Sequence, residues 1–278
     1  MWWKTALLIG VLAGVFFGLA NRWAADPVAA APGPAADKLA ISHLDEVEET
    51  ILALTNDIRR RNGLGLLQRD VGLRDVARGH SDDMIQRHFF EHTNPDGHDS
   101  AWRISTAHRR LIGGTGENIW RYATTLEYDD GKQFATPITL SARQISEKAM
   151  DGWMNSPGHR ANILRPQFTH LGVGMSLIKG ETTITQNFAA ARAYLKSGLP
   201  DRVKQGASVD MGSEPYPVSA PGAALYDFFK EKKGEIEGEP FPLSQTKIAV
   251  KKGRYQIRFY FPVPGGYEIY GGPRIEVR

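Results

Sequence analysis

The hydrophobic pattern changes period along this chain, and the order of that change constrains the fold more than any other feature. Apolar residues recur at helical spacing in four segments between residues 42 and 155, whereas the runs at 171–178 and 182–190 are typical of strands. Gly180 lies between these two runs, where an antiparallel pair would turn. Helices that precede an antiparallel pair favour a layered α+β domain, which we place at residues 41–195.

Capping residues and turn formers predict where the helices begin and end. Ser42 is expected to cap the first helix, which Gly63 ends. A second helix should begin near Asp70, carry His80 on its apolar stripe and stop at the Asn-Pro-Asp-Gly turn of residues 94–97. Two further helices are expected at 100–111 and 140–155. Between them we expect a break in the chain at Gly113, Gly114 and Gly116, followed by a polar irregular segment at 122–137.

The start of the chain is typical of a targeting segment followed by a linker. Residues 5–20 are apolar and uncharged, follow Lys4 and precede Arg22. This length suits either a cleaved signal peptide or a membrane anchor, so residues 1–23 predict export and leave both alternatives open. Ala and Pro dominate residues 24–40, which we interpret as a linker. We therefore expect the main domain outside the cytoplasm, secreted or held at the cytoplasmic membrane by the N-terminus.

Composition changes again after the main domain. Residues 196–222 hold several Pro, Gly and Ser and predict a second linker. A helical patch is expected at 225–233, and apolar side chains then alternate along 255–261, as on one face of a strand. The basic run 251–254 would turn a hairpin. Residues 223–278 thus predict a small β-rich domain of unknown role.

Charge and cysteine content exclude several classes of function. The 278 residues carry a net charge of +3, with both signs mixed along the chain, which indicates a solvated surface and no nucleic-acid partner. The chain has no cysteine, so it has no disulfide, thiolate metal site, cysteine nucleophile or lipidated cysteine. Any chemistry at a site must use other side chains.

Histidine and glutamate concentrate where regular elements of the main domain are expected to end. His92 follows the second helix, Glu117 follows the glycines, and His159 follows the Ser-Pro-Gly turn at 156–158. Side chains at such breaks can converge on a cleft. Two imidazoles and a carboxylate suit Zn²⁺ with an open coordination position, and equally suit acid–base chemistry near neutral pH. Spacing alone leaves both alternatives open.

A local pattern near the end of the second helix offers a competing interpretation. His88, Glu91 and His92 have the H-x-x-E-H spacing of one class of zinc peptidase. That chemistry needs both histidines on one helix, and the turn at 94–97 ends the helix too early. His80, on the apolar stripe, is expected to be a buried neutral imidazole with a hydrogen bond.

Six blocks of the main domain form a pattern that identifies a family. The blocks lie at 54–59, 80–84, 90–97, 116–119, 153–164 and 168–174. In this order and spacing they resemble a bacterial-type domain of the CAP superfamily (cysteine-rich secretory, antigen 5, pathogenesis-related), also called the SCP/PR-1 domain. The resemblance spans about residues 48–192 and implies an α-β-α sandwich with a large central cleft.

The resemblance also implies which residues line the cleft. Eukaryotic members place two His and two Glu there, and the matching blocks put His92, Glu117 and His159 at three of these positions. The second Glu falls on Ser156, as is common in bacterial members, so one carboxylate is missing. Some members hold a zinc-like ion on the two His, which implies Zn²⁺ as a cofactor with His92 and His159 as its ligands. Ser156 precedes Pro157, so we interpret it as a helix-stop or capping residue and not as a nucleophile.

Such a resemblance constrains fold more closely than function. The first hypothesis is a non-catalytic module of the cell envelope, whose cleft takes a lipid, peptide or glycan. The alternative is a metal-dependent hydrolase directed at protein or peptidoglycan, with Glu117 as the candidate catalytic residue. No nucleophile or oxyanion hole is recognisable, and two His with one Glu fall short of a complete catalytic zinc site, so we expect little or no hydrolysis.

Overall fold

The computed structural model of the chain describes residues 34–123, 128–129, 132–133, 140–178, 180–230 and 234–278. The targeting segment predicted at 1–23 and most of the irregular segment at 122–137 lie outside these residues. Among the described helices, none combines the length and the apolar character needed to cross a membrane.

The helices largely follow the capping signals of the sequence. The helices of the described residues are α1 (Pro34–Arg61), α2 (Val71–Gln86), α3 (Ser100–Ala107), α4 (Ala142–Asn155) and α5 (Pro157–Ile163). The predicted start of α2 is confirmed, since Asp70 caps it by accepting from the Leu73 amide at 2.9 Å. The predicted start of α1 at Ser42 was wrong. Residues 34–40 of the predicted linker are helical, because Pro34 suits a first helical turn and the following alanines favour helix.

Strands make up two larger sheets and one short pair. The strands of the described residues are β1 (Gln68–Arg69), β2 (Leu111–Ala123), β3 (Tyr128–Asp129), β4 (Lys132–Gln133), β5 (His170–Ile178), β6 (Glu181–Leu195), β7 (Arg202–Val203), β8 (Ser213–Pro215), β9 (Leu225–Lys230), β10 (Glu235–Ile236), β11 (Phe241–Pro242), β12 (Gly253–Val263) and β13 (Gly266–Val277). The first sheet has the order β1-β5-β6-β2, with β8 paired to the end of β6. Its β1–β5 pair is parallel and its other described pairs are antiparallel.

Helices cover both faces of the first sheet, which confirms the α-β-α sandwich. On one face, α1 and α4 bury a core with β5 and β6 that includes Val47, Trp153 and Phe188. On the other face, α2 and α3 bury a smaller core against β2 and β6. The α2 backbone comes very close to β5 at Gly172, where a Cβ atom would lie 2.1 Å from the Arg74 nitrogen. This contact requires glycine.

The glycine cluster does not break the chain, contrary to the sequence prediction. Gly113, Gly114 and Gly116 all lie within β2, which pairs with β6 on both sides of a register shift between Ile112 and Gly113. A Cβ atom at Gly113 would lie 2.3 Å from the Ala190 oxygen, and one at Gly116 would lie 2.7 Å from the Phe168 ring. The glycines therefore allow close packing within a strand and do not mark a turn.

The predicted β-rich C-terminal region is confirmed, with different details. The second sheet has the order β10-β9-β12-β13-β7, and β11 also pairs with β9. The helix predicted at 225–233 is wrong: β9 is a strand that buries Tyr226 and Phe228, two aromatic residues that favour strands. The predicted turn at 251–254 is also wrong, because the β12–β13 hairpin turns at Gly265, whose φ is +85°.

Residues 196–222 are not a free linker, contrary to their composition. Within them β7 pairs with β13, and β8 pairs with β6. Leu199, Val203 and Met211 are buried in the core of the second sheet, and that core also contains Ile112 and Ala193 from the first sheet. These isolated apolar residues therefore pack residues 196–222 against the second sheet. The same core connects the two sheets.

Candidate functional site

Glu117 on β2 lies at the centre of a buried polar cluster. Its side chain is 2% exposed, and each carboxylate oxygen accepts a hydrogen bond. Oε1 accepts from His92 Nδ1 at 2.8 Å, and Oε2 accepts from Arg103 Nη2 at 2.6 Å. We call His80, His92, Arg103 and Glu117 the Glu117 cluster. Its residues come from α2, α3, β2 and the segment after α2. His92 and Glu117 were expected to converge on a cleft, and these two residues are in contact.

The Glu117 carboxylate fixes the tautomer of His92. A carboxylate paired with a guanidinium can only accept hydrogen bonds, so His92 Nδ1 must carry a proton. In the neutral ring, Nε2 is then the nitrogen with the free lone pair. The His92 side chain is 52% exposed, although its partner is almost fully buried. The arrangement orients an imidazole lone pair at the protein surface.

Arg103, on α3, is the residue of this cluster that sequence reasoning missed. Its Nη1 donates to the backbone carbonyls of His92 at 2.9 Å and His98 at 2.7 Å, while its Nη2 donates to the Glu117 carboxylate. One side chain therefore positions both the backbone of His92 and the carboxylate that orients its ring. The only signal in the sequence was that Arg103 falls on the helix predicted at 100–111.

His80 supports the same cluster from α2, as a buried imidazole. Its Nε2 donates to the Glu91 oxygen at 3.1 Å and lies 4.0 Å from Glu117 Oε1. Burial lowers the pKa of His80, against the opposing effect of the Glu117 charge. The predicted burial and hydrogen bond of His80 are confirmed, and the lowered pKa favours the neutral ring. Its Nδ1 is buried and has no hydrogen-bond partner among the described residues.

His159 lies beside His92, at the start of α5. The two rings have their centroids 6.2 Å apart and are tilted by 60°. Burial lowers the pKa of His159, and the neighbouring His92 lowers it further. Two asparagine side chains connect α5 to β2: Asn118 donates to the backbone carbonyl of His159 at 3.1 Å, and Asn162 of α5 donates to the backbone carbonyl of Glu117 at 3.0 Å.

Ser156 lies at the junction of α4 and α5, where the Pro-Gly turn predicted a helix stop. Its backbone is the C-cap of α4 and the N-cap of α5, with Pro157 in the first turn. Its side chain makes no capping hydrogen bond among the described residues. The stop is therefore made by backbone geometry and Pro157, and the hydroxyl plays no part in it.

The zinc-peptidase interpretation of His88, Glu91 and His92 fails on geometry. Helix α2 ends at Gln86, so neither histidine lies on a helix. His88 is exposed and has a φ of +56°, a conformation that does not continue a helix. The two imidazoles consequently do not share a helical face.

The donor set fits a metal ion only in part. Among the described residues, no three His, Asp or Glu side chains are grouped so that they could hold an ion. Both oxygens of Glu117 are engaged by His92 and Arg103, which leaves His92 and His159 as donors. A carboxylate bonded to the far nitrogen of a ligating histidine is a common outer-shell arrangement in metal sites. Glu117 has this relation to His92, which makes His92 a candidate ligand among the described residues.

Comparison with known sequences identifies relatives of the main domain. The sequence model of the Cysteine-rich secretory protein family (CAP) matches residues 52–188. Uncharacterized protein YkwD of Bacillus subtilis (strain 168) is 34% identical over 174 residues, which are 60% of this chain and 59% of that protein. Uncharacterized membrane protein YlbC of the same organism is 35% identical over 141 residues, which are 51% of this chain and 34% of that protein. The chain thus spans between about a third and three fifths of these relatives.

Solved structures also include similar chains, although their TM-scores are low. An extracellular protein containing a SCP domain from Bacillus anthracis str. Ames is 30% identical, with a TM-score of 0.41, and the match covers 59% of this chain and 45% of that chain. An outer surface protein from Borrelia burgdorferi is 15% identical, also with a TM-score of 0.41, and the match covers 51% of this chain and 91% of that chain.

Proposed function

Residues 52–188 belong to the Cysteine-rich secretory protein (CAP) family, and from this premise we propose that the chain is a binding module of the cell envelope, located outside the cytoplasm. Its ligand contacts the open face of the Glu117 cluster between His92 and His159. The apolar stretch at 5–20 supports export, and one of the relatives is named a membrane protein. The ligand is a lipid, peptide or glycan of the envelope.

The pairing of Glu117 with Arg103 is the observation that carries this proposal. A carboxylate acts as a general base when one of its oxygens can take a proton from water or substrate. Here one oxygen is bonded to a guanidinium and the other to an imidazole N–H. The same contacts hold the His92 ring in one orientation. This geometry supports recognition by a fixed imidazole and argues against Glu117 as the base of a hydrolase.

We further propose that the two imidazoles hold Zn²⁺ with modest affinity. His92 Nε2 and a nitrogen of His159 would be the protein ligands, and Glu117 would orient His92. A bound ion supplies a positive centre that attracts an oxygen donor of the ligand, such as a carboxylate or phosphate. Two protein ligands are fewer than the three that catalytic zinc sites usually have, which is why we expect weak binding.

Calorimetry of the full chain with Zn²⁺ tests the site. We expect binding that weakens as the pH falls through the imidazole range, because both ligands must be neutral. The His92→Ala/His159→Ala double variant should lose this binding. His88→Ala is the matched control, since His88 is exposed and outside the cluster. Zinc binding by the double variant at wild-type strength would show that the assignment is wrong.

A second assay separates binding from hydrolysis. The purified chain is offered casein, ester substrates and peptidoglycan with added Zn²⁺, and we expect no robust turnover. Turnover that disappears in Glu117→Gln, with circular dichroism unchanged, would overturn the binding proposal in favour of the hydrolase.

A further inference from the structure

We infer that the C-terminal sheet is a working part of the His92 cleft, and that Arg274 on β13 is a positioning residue for His92. The route runs from Arg274 through α3 and Arg103 to the Glu117–His92 pair. This inference rests on the proposed function of the cleft. It assigns a role to residues 223–278, which had none from the sequence.

Arg274 contacts α3 in two ways. Its Nε donates to Ser105 Oγ at 2.7 Å, and its guanidinium lies 5.8 Å from the centroid of the Trp102 ring. Ser105 is buried, and its hydroxyl donates to the Ala101 oxygen at 2.7 Å, which leaves its lone pairs for Arg274. The hydroxyl is thus fixed as an acceptor, and the second sheet is bonded to a defined point on α3.

The same helix also contacts the residues of the cleft. Trp102 stacks on the His98 ring, with centroids 3.3 Å apart and planes within 1°. The next residue, Arg103, donates to the backbone of His98 and His92 and to the Glu117 carboxylate. Adjacent side chains of one helix therefore connect Arg274 to the groups that orient His92.

Helix α3 is too short to keep this position unaided. It has eight residues, and isolated helices below about 12 residues are marginal in water. Its placement must come from tertiary contacts, of which Ser105–Arg274 is a direct bond to the second sheet. The second sheet is itself fixed, because Ile112 and Ala193 of the first sheet are buried in its core. A fixed sheet can hold a short helix in register with the cleft.

The inference predicts a specific change when Arg274 is removed. Without it, α3 is held less firmly, and Arg103 no longer keeps Glu117 and the His92 backbone in one arrangement. The Nδ1–H tautomer of His92 then loses its enforcement, whereas free neutral histidine prefers the proton on Nε2. Removing an outer-shell partner typically weakens metal binding by about 10- to 100-fold, so an indirect support should matter by about tenfold at most.

Nitrogen NMR of ¹⁵N-histidine-labelled full chain, without metal, reads the tautomer directly. We expect His92 to be Nδ1–H in the wild type and a mixture in Arg274→Ala, with about tenfold or less weakening of zinc binding. Arg274→Lys should show a smaller change in tautomer and zinc binding than Arg274→Ala, because lysine can still donate to Ser105. Arg254→Ala is the matched control, since Arg254 lies on β12 of the same sheet and pairs with Glu276 of β13.

Each outcome decides the inference separately from the proposed function. An unchanged His92 tautomer in folded Arg274→Ala overturns it, as does a wild-type His92 that is not Nδ1–H. If Arg274→Ala fails to fold, Ser105→Ala replaces it, because this change removes the acceptor and leaves the arginine. A wild-type chain that binds no zinc but shows the tautomer change would refute the metal site and leave the positioning role intact.

Discussion

Two buried carboxylates in the α-β-α sandwich each form a hydrogen bond with a histidine, and the two pairs differ in what surrounds them. In the Glu117 cluster, the bonded His92 is half exposed, and its Nε2 makes no hydrogen bond within the described residues. The second group, which we call the Asp70 cluster, consists of Asp70, His108 and Tyr194, together with His170, whose ring packs edge-on against Tyr194 with centroids 5.5 Å apart. There the bonded His108 is 9% exposed. Similar pairs can therefore serve different uses, and their surroundings decide which.

In the Asp70 cluster, every polar atom of the pair is already used for structure. Asp70 accepts from the Leu73 amide that begins α2, from His108 Nε2 at 3.0 Å and from the Tyr194 hydroxyl at 2.7 Å. Burial alone would raise the pKa of Asp70, but the bonds from His108, Leu73 and Tyr194 outweigh it and lower that pKa. His108 Nδ1 accepts from the Leu111 amide at 3.1 Å. Both nitrogens of His108 are thus engaged, and the ring offers no lone pair to a ligand.

The difference therefore lies in the second nitrogen of each histidine. A backbone amide takes it in His108, whereas in His92 it is left at the surface. A ring nitrogen can coordinate an ion or accept from a ligand only when no protein group already donates to it. The following changes should separate a structural pair from a binding pair.

Asp70→Ala is expected to have the largest effect on stability. It removes the cap of α2 and leaves buried donors of His108 and Tyr194 without an acceptor. A lost cap costs about 1 kcal/mol and each unsatisfied buried donor about 1–3 kcal/mol, so we expect a loss of about 3–7 kcal/mol. Urea unfolding of the full chain measures it. A loss below about 1 kcal/mol would mean that the Asp70 cluster is not a structural unit.

His108→Ala should cost less, about 1–3 kcal/mol, because one acceptor for backbone amides is lost and Asp70 keeps its other partners. The ring also packs on α2 at Gly72, where an added Cβ would lie 2.5 Å from it. Urea unfolding gives the stability, and calorimetry should show zinc binding unchanged in the folded protein. Loss of zinc binding with little destabilisation would reverse the roles of the two clusters.

The pH dependence of stability should be smaller still, and it should fall in two windows, one set by the buried histidines of both clusters and one set by Asp70. Burial lowers the folded-state pKa of His80 and of His170 below 6.5. Below pH 6.5 the unfolded chain therefore binds more protons than the folded chain, and stability falls as the pH falls. The lowered pKa of Asp70 stabilises the fold above pH 3.8, and that contribution is lost as the pH falls further.

Urea unfolding between pH 4.5 and 8 tests the histidine window. His80→Gln can still donate to the Glu91 oxygen and should reduce the slope between pH 6.5 and 5. His170→Gln is the matched change in the Asp70 cluster. Wild-type stability that stays constant from pH 7 to 5 would contradict the lowered histidine pKa values.

Much of the fold was predictable from local signals in the sequence. Asp70 marked the start of α2, and the apolar runs marked β5 and β6, because caps and periodicity act over a few residues. The role of the β2 glycines was predicted wrongly, because Gly113 and Gly116 pack closely against Ala190 and Phe168, which are distant in sequence. Burial by a remote partner leaves no local signature.

The candidate site shows the same limit. Motifs predicted His92, Glu117 and His159, and the structure places His92 next to both Glu117 and His159. Arg103 was missed, because a lone arginine on a helix predicts nothing until the fold places it on Glu117. The Asp70 cluster was missed as well: its members lie at the start of α2, on β5 and β6 and in the α3–β2 connection, and no motif joins them.

His92→Ala should have the smallest effect on stability and the clearest effect on binding. The side chain is 52% exposed, so its removal deletes little packing. Glu117 Oε1 loses one hydrogen bond, but the opening left by the ring admits water, and a water-mediated bond is nearly as favourable as a direct one. We expect a change of about 0.5 kcal/mol or less, as for surface substitutions, together with loss of zinc binding. Urea unfolding and calorimetry on one preparation measure both. A cost as large as that of His108→Ala would show that His92 is a structural histidine too, because only a ring whose bonds cannot be replaced by water destabilises the fold when it is removed.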